Sequence, residues 1–297
     1  MNIPRISIGT AGFANFYEPM TFDDCTKIVD KAVIHKYNYF DTSPEYGNGK
    51  SEEILGRCLQ KYNRDRYFIS TKAGKVGNDY KYGYYDIIQS VMNSRKRLGV
   101  KYIDIVFISD IEFACSLGFI IQESLPALKY LKDQGFIKYI GISGLYLEQL
   151  NYISENFNID FILSYCCYTL INNSLIKYLD IWKKRNIKII QGGVTSMGLL
   201  TPQGPPRWHP SDYQIKATCN KLNQFCSEKK INIVEKAFYY TYQNSNIDTI
   251  LLGVTTPSQL DEYTDWINNF YYNNKLYINT LIEMSKPIHN KLWNELF

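Results

Sequence analysis

Asp104-Ile-Val-Phe-Ile108, Ile120–Gln134 and Ile137-Lys-Tyr-Ile-Gly141 read in succession as a strand, a helix and a second strand. The two short runs are apolar and rich in β-branched residues, as strands buried on both faces are. The middle stretch has helical spacing, and Gly135 stands where a helix C-cap belongs. Working outward, the same alternation recurs. Further strands are expected at Ser7–Gly9, Tyr39–Asp41, Tyr67–Thr71, Phe161–Leu163, Ile187–Ile190 and Thr249–Leu252. Helices are expected at Phe22–Lys36, Ser51–Lys61, Tyr85–Leu98, Asn172–Arg185 and Tyr213–Lys229, with an extra one, Val234–Gln243, before the last strand. Ser51 opens its helix with acidic residues in the first turn, which favours the positive end of the helix dipole. Strands alternating with helices fit a closed α/β architecture, the (β/α)8 TIM barrel, better than an open doubly wound sheet. An open sheet often carries a Gly-rich phosphate loop after its first strand, and Gly9-Thr-Ala-Gly12 lacks that spacing.

The chain has 297 residues, room for one barrel of roughly 250 residues. No low-complexity linker or solenoid repeat interrupts it, so residues 1–297 are read as a single domain. Apolar residues make up 45% and charged residues 21%, the balance of a soluble globular chain. The net charge of +4 is small. The one dense basic cluster, Arg95-Lys96-Arg97, falls in a helical stretch and reads as a solvated face. No nucleic-acid-binding motif accompanies it. No signal core opens the chain and no apolar run approaches the ~20 residues of a membrane span. A cytoplasmic protein, a monomer or small homo-oligomer without membrane or nucleic-acid partners, is the expectation. The 7 cysteines lack zinc spacing and read as reduced core thiols. The three histidines, His35, His209 and His289, are far apart in sequence, so no metal is expected.

Polar residues collect where early strands end: Asp41, then Tyr46 in the following loop, Lys72, and Ser109 with Asp110. Every strand must end in something polar, so one such residue carries no weight. Several converging on the C-terminal mouth of a barrel, where such folds build their sites, carry more. A free tyrosine has a pKa near ~10, too high for a good base at neutral pH. A nearby lysine ammonium favours the phenolate, and a carboxylate keeps that lysine charged and in place. Asp, Lys and Tyr together therefore suit proton transfer in the interconversion of an alcohol and a carbonyl.

The stretch Asp41-Thr-Ser-Pro-Glu-Tyr46-Gly47-Asn-Gly-Lys-Ser51-Glu52, with Lys72 in Ser70-Thr-Lys72-Ala-Gly74, resembles the aldo-keto reductase family. The resemblance runs from Gly9 to about Trp266. It leans toward the family's L-galactose dehydrogenases and related aldose dehydrogenases. The stretches Asp110-Ile-Glu-Phe113, Leu125-Pro-Ala-Leu-Lys129, Gly141-Ile-Ser-Gly-Leu145 and Leu163-Ser-Tyr-Cys166 support it, as does the long Met197-Gly-Leu-Leu-Thr-Pro-Gln-Gly-Pro-Pro-Arg-Trp-His-Pro210. The resemblance implies Tyr46 as acid and base, Lys72 as its tuner and Asp41 as the support of Lys72. One position departs: the family usually has a histidine where this chain has Ser109. Ser109 is shorter and does not titrate near neutrality, though it can still donate a hydrogen bond.

The resemblance also implies a nicotinamide cofactor at the mouth. Its carboxamide is expected near Ser143 and Ser164. Gly192 occupies the place where relatives often stack a tyrosine on the ring. The adenosine end is expected at Gly253, Thr255, Gln259 and Glu262. No lysine or arginine occurs from Gly253 to Tyr263 to pair with a 2′-phosphate, so NAD is expected over NADP. A sugar or other small carbonyl compound would meet Trp208 and His209, in a proline-rich loop after strand seven. For each of these two, packing within the loop is the plainer alternative. The leading expectation is an NAD-dependent oxidoreductase that oxidises an aldose at C1 to its lactone. Ser109 keeps two alternatives open: a redox-neutral dehydratase or epimerase on the same barrel, and a nucleotide-binding protein without turnover.

Overall fold

The computed structural model describes residues 3–77, 79–270 and 277–293. Eight parallel strands close into a barrel: β1 Ile6–Gly9, β2 Tyr39–Asp41, β3 Phe68–Ala73, β4 Ile103–Ile108, β5 Ile137–Gly144, β6 Phe161–Tyr165, β7 Lys188–Gly192 and β8 Thr249–Gly253. Each pairs with its neighbours in chain order. β1 closes on β8, with Ile6 opposite Ile250 and Gly9 opposite Gly253. Arg5 fastens this seam: its guanidinium donates to the carbonyl oxygens of Ile247, of Tyr242 at 2.7 Å and of Asn244 at 2.7 Å.

The expected strands all form, and several run further than expected. β5 extends to Gly144, which places Ser143 inside the strand, and β3 extends past Lys72 to Ala73. Outside the barrel stand α1 Phe22–Ile34, α2 Lys50–Leu59, α3 Tyr84–Leu98, α4 Leu125–Asp133, α5 Leu147–Asn156, α6 Ile176–Lys184, α7 Tyr213–Glu228, α8 Ile233–Tyr242, α9 Pro257–Asn268 and α10 Ile278–Ser285. α5, α9 and α10 were not anticipated. α6 begins later than expected because Asn172 turns the chain first, its Oδ1 accepting from the Ser174 backbone N–H at 2.9 Å and hydroxyl at 2.7 Å. Such Asx turns compete with helix.

Tyr39, Ile105, Phe107, Phe161, Leu163 and Ile190 fill the barrel interior. A larger apolar layer packs strands against helices, with Trp182, Phe238 and Tyr239 among its largest members. Above the interior plug lie polar groups of the strand ends, and Tyr39 links the plug to them, its hydroxyl donating to Ser70 Oγ at 2.9 Å. No helix among the described residues is long and apolar enough to cross a membrane.

Candidate active site

The floor of the site is a buried ion pair. Lys72 Nζ donates to Asp41 Oδ2 at 2.6 Å and to the Thr42 carbonyl at 2.9 Å. The other Asp41 oxygen accepts from Ser70 Oγ at 2.6 Å. β2–β3 pairing sets Asp41 opposite Ser70, so the barrel register itself brings carboxylate and ammonium together. Tyr46 lies on the turn between β2 and α2. Thr42 Oγ1 donates to Ser51 Oγ at 3.0 Å, and Ser51 Oγ donates to the Thr10 carbonyl at 2.7 Å, which pins this turn to the loop after β1. Gly47, at φ +64°, lets the turn lie against Ala14; a Cβ there would come 2.7 Å from the Ala14 methyl.

Lys72 Nζ stands 5.1 Å from the centre of the Tyr46 ring. The sequence suggested a phenol softened below its ordinary value; the balance of forces corrects this. Burial is the largest influence on Tyr46 and holds its proton more tightly than in free tyrosine. Lys72 pulls the other way without winning, and Asp41 adds to the upward push. For Lys72, burial favours the neutral amine, but Asp41 and Tyr46 together outweigh it and raise its pKa. The result is a protonated phenol beside a permanently charged ammonium. Such a pair can pass a proton to a developing alkoxide, and it accepts one only once the phenol has ionised.

At the end of β4, Ser109 is buried and its Oγ accepts from Ser143 Oγ at 2.9 Å. Its backbone N–H bonds the Ala73 carbonyl at 3.0 Å. Asp110 adopts φ +53°, uncommon for a residue with a side chain. The Tyr82 hydroxyl holds that bend, 2.6 Å from the Asp110 carbonyl and 3.0 Å from that of Ser109. Two groups that the sequence did not single out complete this corner, Glu112 and Tyr165. The Tyr165 hydroxyl is 3.2 Å from Asp110 Oδ1 and 3.3 Å from Glu112 Oε1, one proton facing two carboxyl groups. Glu112 Oε1 also accepts from the Leu145 backbone N–H at 3.3 Å, while Oε2 is buried without a hydrogen-bond partner. Burial, with Asp110 behind it, pushes the Glu112 carboxyl up to about 7. Burial likewise raises Asp110, against the pull of Lys75 and Lys72.

Ser164 Oγ donates to Gln191 Oε1 at 2.8 Å, and Gln191 Nε2 donates to the Gly192 carbonyl at 2.7 Å. Gln191 is a third polar group beside Ser143 and Ser164 that the sequence reading passed over. It directly follows the expected strand Ile187–Ile190, the kind of position that singled out Asp41 and Lys72. These hydroxyl and amide groups both donate and accept, as a nicotinamide carboxamide requires. A Cβ on Gly192 would meet only ordinary contacts with Leu251, Tyr165 and Leu163.

At the end of β8, a Cβ on Gly253 would meet open space. Beyond it Gln259 caps α9, Oε1 accepting from the Thr255 and Thr256 backbone N–H groups at 2.8 and 3.3 Å. Glu262 lies further along α9, exposed. Gly253 ends β8, Thr255 and Gln259 lie at the N-terminus of α9, and Glu262 follows one turn after Gln259.

Trp208 packs edge-on against Phe16 at 5.4 Å, and Phe16 reaches Tyr46 at 6.5 Å. The loop after β7 and the loop after β1 therefore form an aromatic wall beside the phenol, its rings partly open to solvent. His209 turns the other way. It is buried, its Nε2 is 3.1 Å from the Ser196 carbonyl, and its Nδ1 accepts from the Ser211 backbone N–H at 3.1 Å. Burial lowers its pKa to about 4. The ring is neutral and staples the loop to itself. No group of three or more His, Cys, Asp or Glu among the described residues is arranged to hold a metal ion.

The chain is also similar to known proteins along most of its length. L-galactose dehydrogenase of Arabidopsis thaliana is 33% identical over 267 residues, covering 88% of this chain and 83% of that one. D-arabinose 1-dehydrogenase of Saccharomyces cerevisiae is 30% identical over 249 residues, covering 78% and 73%. Among solved structures, an aldo-keto reductase of Bacillus halodurans in its holo form superposes with a TM-score of 0.78 at 18% identity, covering 99% of this chain and 95% of that one. The sequence pattern described as "Aldo/keto reductase family" matches residues 5–275. A closed eight-stranded barrel, a lysine–aspartate pair under a tyrosine and a match across most of the chain converge on one assignment: this oxidoreductase belongs to the aldo/keto reductase family.

Proposed function

We propose that the protein is an NAD-dependent aldose dehydrogenase that oxidises a sugar of the L-galactose or D-arabinose kind at C1 to its lactone. The observation that carries this reading is the Lys72–Asp41 pair, 2.6 Å across, beside the Tyr46 ring. The names of the two relatives above supply the sugar class. Lys72, held charged by Asp41, stabilises the ionised form of Tyr46, and that phenolate takes the proton of the C1 hydroxyl and returns to the phenol. Ser109 donates a hydrogen bond toward the same oxygen. Ser143, Ser164 and Gln191 would hold the carboxamide of the cofactor, with Gly192 beside the ring and Gly253, Thr255 and Gln259 toward the adenosine. A bound nicotinamide supplies the acceptor for the hydride leaving C1. NAD is favoured over NADP because residues 253–263 carry no cation for a 2′-phosphate. The aromatic wall of Trp208 and Phe16 suits the C–H face of a sugar ring.

Because burial holds the Tyr46 proton tightly, oxidation accelerates as pH rises through the alkaline range. The test is a screen of L-galactose, D-arabinose and other aldoses with NAD and NADP, on wild type and Tyr46→Phe. Sugar-dependent NADH formation by wild type, lost in Tyr46→Phe while nucleotide binding persists, is the expected result. Product formation without NADH would instead support a redox-neutral reaction. Ser109, whose hydroxyl is tied to Ser143, is the specific feature that favours that second reading. Ser109→His distinguishes them: turnover rises if the serine is a handicap in ordinary dehydrogenation and collapses if it serves another reaction.

A further inference from the structure

Within the Arg95-Lys96-Arg97 cluster, Lys96 is exposed as its sequence suggests, and Arg97 departs from the solvated face. Arg97 turns inward from α3, and its Nε donates to Glu52 Oε2 at 2.6 Å. Glu52, on the first turn of α2, is fully buried. Its other oxygen, Oε1, accepts from Thr71 Oγ1 at 2.6 Å. Thr71 is the residue before Lys72 on β3. The Arg97 side chain also lies directly under Gly49, where an added Cβ would come 2.6 Å from its Cδ and Nε. Gly49, at φ +88°, belongs to the turn that runs from Tyr46 into α2. One charge pair, its carboxylate fully buried and its guanidinium partly exposed, therefore touches both segments that carry the proton-transfer groups: the turn bearing Tyr46 and the strand bearing Lys72. Neither Glu52 nor Arg97 is used by the chemistry proposed above.

We propose that the Glu52–Arg97 pair is a positioning device for the active site, fixing the Tyr46 turn in register with Lys72. Buried carboxylates are kept charged only by a well-made partner, and this one is bridged to two elements at once, which gives it a single geometry. Misplacing a reacting group by about 1 Å can cost about 10²-fold in rate. The inference rests on Tyr46 being the proton-transfer group.

The test compares wild type with Arg97→Lys and with the double variant Glu52→Gln/Arg97→Gln. The double variant removes both charges and leaves none buried alone. Two readouts are taken on the full-length protein. The first is kcat and KM for L-galactose or D-arabinose with saturating NAD. The second is the titration of Tyr46 itself, followed by NMR with ring-labelled tyrosine and assigned through Tyr46→Phe. The double variant is expected to lose at least tenfold in kcat with KM within threefold of wild type, and its Tyr46 titration moves upward as the phenol leaves the ammonium. Arg97→Lys, which keeps the charge, retains a third or more of kcat. An unchanged kcat and Tyr46 titration, with only a lower melting temperature, would overturn the proposal and leave the pair as scaffolding. Should wild type oxidise no aldose, the dehydrogenase reading fails by itself. The titration then decides alone: an upward move supports the positioning role and an unmoved midpoint refutes it.

Discussion

Replacing Glu112 by glutamine should make the protein more stable at pH 8 and leave it nearly unchanged below pH 4.5. In the folded chain the Glu112 carboxyl is pushed from 4.5 up to about 7, chiefly by burial and then by Asp110. Oε2 has no hydrogen-bond partner, and Oε1 shares the Tyr165 proton with Asp110. Between pH 4.5 and 7 the folded chain keeps a proton that the unfolded chain releases. Stability therefore falls as pH rises through that window, and the loss is complete above pH 7. A shift of about 2.5 units at 1.36 kcal/mol each gives about 3 kcal/mol. Glutamine keeps an acceptor for Leu145 and Tyr165 and carries no charge, so the variant escapes this loss. The assay is thermal unfolding of both proteins in matched buffers from pH 4.5 to 8. At roughly 2 °C per kcal/mol for a chain of this size, the melting gap should open by about 6 °C in favour of Glu112→Gln toward high pH. A gap that stays flat with pH, or opens in the opposite direction, refutes the reading of Glu112 as a neutral acid in the fold.

Other perturbations test other parts of the site. Gly253→Lys places a cation where a Cβ meets open space at the end of β8; one charge-assisted contact of about 1.5–3 kcal/mol should lower KM for NADP at least tenfold, and no change would place the 2′-hydroxyl elsewhere. His209, lowered to about 4, resists protonation that the unfolded chain accepts near 6.5, so stability is lost as pH falls from 6.5 to 4. His209→Gln should abolish that part of the acid slope, worth about 3 kcal/mol, in urea titrations at pH 7 and pH 4.5. Gly56→Ala on α2 would drive a methyl to 2.4 Å from the Leu98 carbonyl oxygen. Forced separation of α2 from α3 should cost about 1–3 kcal/mol, read as a lower urea midpoint.

The barrel was legible because its strands are short apolar runs framed by helical patterns. Asp104–Ile108 is buried along its length, and its sequence says so. α5 was missed for the converse reason. It buries only a narrow stripe of Leu147, Leu150 and Ile153, and Tyr146 at its N-cap offers no side-chain bond. Asp41, Tyr46 and Lys72 could be named from their places after strands, and the structure brings them together. What the sequence concealed was burial. It outweighs Lys72 at Tyr46, lifts Glu112, and turns Arg97 from a solvated face toward Glu52, a partner 45 residues away. None of these has a local signature, because each depends on which side chains the closed barrel excludes from water.

The Arg5-fastened seam between β1 and β8 has a consequence for how the chain comes into being. β1 finds its second neighbour only when β8 has been made, since Ile6 pairs with Ile250. Until then a partly grown sheet carries two open edges, the kind of surface that recruits other chains. Such a long-range closure also comes slowly, because the intervening loop must be ordered before the contact rewards it. Truncation just before Thr249 should therefore yield an aggregating fragment rather than a smaller barrel.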